Sequence, residues 1–119
     1  MTLIDTHAHI YYEDYADRLD EIIQTAADNG VEKIISVGID LASSEECVKL
    51  AEQYSSVFAT CGYHPHEAGK APKGYLYELE QFYKHPKVVA VGEIGLDYHY
   101  NFSDPKIQNR VYREQLEMA

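Results

Sequence analysis

The chain has 119 residues, 45% hydrophobic and 25% charged, which suits a compact core and excludes a disordered tail. A formal net charge of −10 excludes a broad basic face gripping duplex phosphates, so any nucleic-acid chemistry has to be local, with bound cations supplying the positive charge. No apolar run approaches the roughly 20 residues that span a bilayer, and residues 1–7 have neither a basic nor an apolar leader region, so a cytoplasmic protein with no membrane contact is expected.

Leu3-Ile4-Asp5 reads as a first strand. Residues 18–29 place Leu19, Ile22, Ile23, Ala26 and Ala27 on one helical stripe, and Gly30 follows where a helix end favours glycine. Residues 33–38 are rich in β-branched side chains and predict a buried parallel strand. Ser43 and Ser44, ahead of Glu45 and Glu46, predict the start of a second helix with Val48, Leu50 and Ala51 on its apolar side. Residues 57–61 form a third strand. Residues 75–84 form a third helix, with Leu76, Leu79, Phe82 and Tyr83 on one face, and residues 88–92 a fourth, nearly all apolar strand. Pro105 opens a fourth amphipathic segment through Ile107, Val111, Tyr112 and Leu116, and the sequence reaches Ala119 with no helix stop signal.

Four β-α units in succession imply an α/β fold with a parallel sheet and right-handed crossovers. A barrel and an open doubly wound sheet both fit, although no GxGxxG follows the first strand. A complete (βα)₈ barrel needs about 250 residues. The expectation is therefore a single domain, residues 1–119, forming about half of a TIM-type barrel, with its polar motifs at the C-terminal ends of strands one, three and four. Cys47 and Cys61 lack CxxC spacing and are expected to be buried, reduced thiols.

His7 and His9 alternate along an extended segment, so both imidazoles can meet one cation, although HxH alone also fits a surface turn. Asp5 can orient one imidazole or cap the strand end. Glu93 follows four apolar strand residues and must reach water, a partner or a metal; its two oxygens could bridge two cations. Gly92 and Gly95 leave room beside it. Pro65 holds His64 and His66 on an extended segment, where they could contact a phosphate or leaving group, or His66 could cap the next helix. Tyr11, Tyr12 and Tyr15 could stack on unpaired bases or cover the core. His85 reads as an exposed loop residue and His99 as rim or surface.

DTHAH at 5–9, GYHPH at 62–66 and VGEIGLDY at 91–98 together resemble the TatD family of metal-dependent deoxyribonucleases, within the amidohydrolase-like barrels. HxH is shared with many amidohydrolases, whereas GEIGLDY is far more diagnostic. The resemblance runs along the whole chain in order and spacing. It implies a (βα)₈ barrel, divalent metal ions (two per complete site, with Mg, Mn and Zn all admissible) and hydrolysis of phosphodiester bonds in DNA. Carried over by residue, it makes His7 and His9 metal ligands and Glu93 a bridging ligand with a catalytic role. It places His64 at the phosphate, where it stabilises charge, and His66, Asp97 and Tyr98 in the substrate pocket or its wall. It also implies two more His ligands and a catalytic Asp in a second half, so this chain alone is expected to have little or no turnover. An amidohydrolase acting on a small molecule, and a non-catalytic half barrel that self-associates through its exposed edges, are the other readings.

Overall fold

The computed structural model describes residues 1–119. Strands and helices alternate as β1 (Leu3–Ala8), α1 (Leu19–Asp28), β2 (Val31–Val37), α2 (Leu41–Gln53), β3 (Val57–Cys61), α3 (Tyr75–Tyr83), β4 (Val88–Val91) and α4 (Pro105–Leu116). Single 3-10 segments at Glu13–Arg18 and Ala68–Lys70 follow β1 and β3. The sheet order is β1-β2-β3-β4 and every pairing is parallel. Parallel neighbours need a crossover, and each intervening helix supplies one.

One face of the sheet carries the core. Ile34, Val57 and Ala59 pack against Cys47, Leu50 and Ala51 of α2, with Leu19, Ile23 and Ala26 of α1 alongside. A second cluster joins Cys61 and Tyr63 to Tyr75 and Leu79 of α3 and Val111 of α4. Ile4, Lys33, Ile35, Phe58 and Val89 line an open depression of about 220 Å³. In β2, Lys33 and Ile35 alternate with the core residue Ile34, so this is the opposite face, the interior side of a barrel wall. Ile4 is 54% and Val89 49% exposed, and β1 and β4 are the sheet's two edges. Lys87 ties the β4 approach to α2: its Nζ donates to the carbonyls of Ala51 and Tyr54, where a cation complements a helix C-terminus. No helix is long and apolar enough to cross a membrane.

Several expectations are corrected. β1 extends to Ala8, so both motif histidines lie at the strand or one residue past it. α2 starts at Leu41 and is capped by Asp40, not by Ser43 or Ser44. The Asp40 carboxylate accepts from Ser43 N at 2.8 Å while Ser43 Oγ accepts from Asp40 N at 3.1 Å, a reciprocal capping box. Ser43 thus sits inside the helix and Ser44 is buried. α4 ends at Leu116, which is exposed, and the buried positions flanking Val111 belong to Gln108 and Gln115. The apolar run of β4 predicts burial, yet Val89 and Ala90 are exposed, because their strand is an edge here. Gly30 does take the left-handed conformation after α1, at φ 87°, and a Cβ there would lie 2.8 Å from Met1 O.

Candidate metal centre

Side chains from the C-terminal ends of the two edge strands meet. Strands about 4.8 Å apart would put β1 and β4 about 14 Å from each other in a flat sheet. His7 Nε2 at β1 nevertheless lies 3.3 Å from Glu93 Oε2, just past β4. Glu93 N also donates to Gly38 O, past the end of β2, at 2.8 Å. The sheet is curled like a barrel wall, which sets aside the open doubly wound alternative. Gly62 allows the chains to close in, since a Cβ on it would stand 3.0 Å from the backbone carbon of Gly92.

His9 Nε2 lies 3.3 Å from His7 Nε2 and 4.0 Å from Glu93 Oε2. Its Nδ1 is 2.9 Å from Val37 O, and a carbonyl can only accept. The proton therefore sits on Nδ1 and the Nε2 lone pair faces the site, the usual arrangement of a metal-binding imidazole. Asp5 does not orient a ring: its Oδ1 accepts from His7 N at 3.0 Å and braces the strand. The imidazole partner comes from β2 instead. Ligand atoms of His7, His9 and Glu93 all lie within 4.8 Å of one another. A tetrahedral cation with bonds of about 2.1 Å holds its donors about 3.4 Å apart. The observed separations bracket that value, so two imidazoles and a carboxylate fit a divalent ion here.

His64 and His66 extend the cluster. His64 Nδ1 accepts from His66 N at 3.0 Å, so a neutral His64 carries its proton on Nε2, which lies 3.6 Å from Glu93 Oε1. Burial holds its pKa below the ordinary value, against the opposing pull of Glu93. His66 does not cap a helix. Its Nε2 lies 2.5 Å from Asp97 Oδ2, and this hydrogen bond, with those from the His99 and Tyr100 amides, holds the Asp97 carboxyl below its usual range. Tyr98, expected at the pocket wall, accepts at its hydroxyl from Asn109 of α4 at 2.6 Å and is 56% exposed. Tyr12 stacks on His9 with centroids 5.6 Å apart, and Tyr15 continues the ladder at 6.4 Å. His85 is half-buried beside Glu52, not fully exposed, and His99 is exposed.

Two positioning residues escaped the motif reading. Gln108 bonds Asp97 N and Asp97 O, each at 2.9 Å. Gln115 bonds Tyr63 N at 2.7 Å and Tyr63 O at 3.2 Å, fixing the residue before His64. Their signal was present: both are polar residues on the Val111 stripe of an amphipathic helix, where an unpaired amide would be costly.

A family model described as TatD related DNase matches residues 4–119. The chain is 38% identical over 98% of its length to the Bacillus subtilis protein named uncharacterized metal-dependent hydrolase YabD, covering 46% of that relative. It is 34% identical over 98% of its length to the Escherichia coli 3'-5' ssDNA/RNA exonuclease TatD, covering 45% of it. Among solved structures, the E. coli TatD homolog YjjV superposes with a TM-score of 0.90 at 34% identity, over 98% of this chain and 46% of that one. A TatD family hydrolase from Entamoeba histolytica gives 0.88 at 28% identity, over 99% of this chain and 46% of that one. The chain thus spans under half the length of the relatives it matches. With the family's order of motifs carried on the family's curled sheet, this chain belongs to the TatD-related DNase family, a family of metal-dependent hydrolases.

Proposed function

We propose that residues 1–119 form one domain, the N-terminal (βα)₄ part of a TatD-type hydrolase cleaving phosphodiester bonds in nucleic acid, DNA foremost. The observation that carries this reading is the meeting of His7, His9 and Glu93 at the ends of β1 and β4. In it, His7, His9 and Glu93 would hold the divalent metal, the two imidazoles as neutral nitrogen donors and Glu93 as the anionic oxygen donor that could be shared with a second cation. Mg, Mn and Zn all suit such a mixed nitrogen and oxygen set. Bound cations supply Lewis-acid polarisation and a water that is nucleophilic near neutral pH. His64, neutral with Nε2–H turned into the site, donates to a phosphoryl oxygen. The His66–Asp97 pair fixes the substrate side of the pocket, with Tyr98 at its wall.

The name of the E. coli relative, a single-strand exonuclease, supports the substrate class. The net charge of −10 supports a site that relies on cations rather than a basic groove. Two free, buried thiols are in keeping with a cytoplasmic setting. The family resemblance puts further ligands and a catalytic Asp outside these residues. Turnover of a single-stranded oligonucleotide by this chain should therefore fall far below the roughly 1–10³ s⁻¹ of ordinary enzymes. Calorimetric titration with Mn²⁺ tests the core of the reading. Wild type should bind the ion, and Glu93→Ala should lose more than about 100-fold in affinity, beyond the loss typical of removing a supporting residue. Equal Mn²⁺ binding by the two proteins overturns the assignment.

A further inference from the structure

Beyond the three metal-facing residues, the segment after β4 is anchored so as to hold two aromatic rings in the open. Asp97 Oδ1 accepts from the amides of His99 at 2.9 Å and Tyr100 at 3.4 Å. At the far end Ser103 Oγ accepts from Gly69 N and donates to His66 O, each at 2.9 Å. Between these anchors Tyr100 and Phe102 stack on each other, with centroids 5.4 Å apart and planes 21° apart. They remain 51% and 66% exposed. Both meet His66 edge-on, Tyr100 at 5.6 Å and Phe102 at 4.8 Å. The pair therefore packs against the β3–α3 segment. The His66 ring is 4.4 Å from that of His64, which faces Glu93. Two side chains separate the aromatic pair from the metal-facing carboxylate.

We propose that Tyr100 and Phe102 form a stacking subsite for the terminal base of an unpaired nucleic-acid strand whose phosphate lies at His7, His9 and Glu93. This rests on the hydrolase reading above and adds to it a base-binding element. Aromatic faces receive any base, but a base held by its pair and its stacked neighbour cannot swing out to the rings without losing both, so an exposed pair favours unpaired ends. Cations at the His7, His9 and Glu93 site would act on the phosphate and leave the base without a partner. The chain is strongly acidic, and the ion pairs of Glu93 and Asp97 are with histidines, not with Lys or Arg. Ring stacking thus supplies contact to the base, which phosphate binding does not reach.

The test is a fluorescence titration of the full chain with a short oligodeoxythymidylate carrying 2-aminopurine at its 3′ end, with Mn²⁺ binding measured on the same preparations. Wild type quenches the probe, and a blunt hairpin holding the same base in a pair is not quenched. Tyr100→Ala and Phe102→Ala each weaken oligonucleotide binding about tenfold, and Phe102→Trp retains it. Mn²⁺ affinity stays as in wild type throughout. An unquenched probe, equal quenching by the hairpin, or unchanged affinity in both alanine variants overturns the stacking subsite while Mn²⁺ binding leaves the hydrolase reading in place. Failure of the wild type to bind Mn²⁺ overturns that reading instead.

Discussion

His66 Nε2 lies 2.5 Å from Asp97 Oδ2 and joins the segment after β3 to the loop after β4. This hydrogen bond is the largest reason that the Asp97 carboxyl sits below its ordinary value of 3.8, with the His99 and Tyr100 amides adding to it. A carboxyl whose folded-state pKa is depressed contributes stability that is present above its unfolded value and lost as pH falls through the folded one. The stability attached to this pair should therefore disappear below pH 3.8, the lower limit being set by the depressed folded value. In acid unfolding followed by circular dichroism, Asp97→Asn should start less stable at neutral pH and lose less on acidification. Parallel acid limbs for wild type and variant would count against the pair.

Gln115 is fully buried and holds both backbone polar groups of Tyr63. Gln115→Leu keeps the volume and strands an N–H and a C=O next to His64. A single buried polar group left unpaired costs about 1–3 kcal/mol. Urea unfolding should show a loss of at least that size. A change below about 0.5 kcal/mol, the scale of ordinary surface substitutions, would mean that water satisfies Tyr63 instead.

The alternation of strands and helices was legible because parallel strands and their crossover helices each carry a strong periodic signal. The spacing of His7 and His9 announced a shared direction, and the run into Glu93 announced a carboxylate at a strand end. What stayed hidden depends on distance along the chain. His66 and Asp97 lie 31 residues apart, and nothing local links them. The Val37 carbonyl that orients His9 is 28 residues away, so Asp5, only two residues from His7, looked an equally good partner. The capping of α2 was misplaced because Ser43 fits an N-cap by composition, while Asp40 wins by accepting its amide and hydroxyl. Tyr98 carries a family motif position, yet its direction is set by Asn109, which no pattern joins to it.

The two cysteines should be chemically silent in the folded chain. Burial is the main cause that pushes the Cys47 thiol up to about 11 and Cys61 up to about 12. The thiolate is the reactive species, so at pH 8 almost none exists at either site. Ellman's reagent should find no fast-reacting thiol in the native protein and two in denaturant. Rapid labelling of one thiol without denaturant would reveal local opening around α2 or the end of β3.

The face opposite the helices is open to a test of self-association. Ile4, Ile35, Phe58 and Val89 share that face with Lys33, whose Nζ lies 5.7 Å from the Phe58 ring centre. The edges of β1 and β4 add unpaired backbone groups, a combination that favours association. Each chain also carries a net charge of −10, which repels a second copy and is screened by salt. Association through the apolar face should therefore rise with both protein concentration and ionic strength, whereas association through ion pairs would fall with salt. Light scattering across a salt series separates the two. Val89→Lys, on the β4 edge, should shift the equilibrium toward monomer. A wild-type mass that stays monomeric at every salt and protein concentration would show that the open face and edges do not drive self-association.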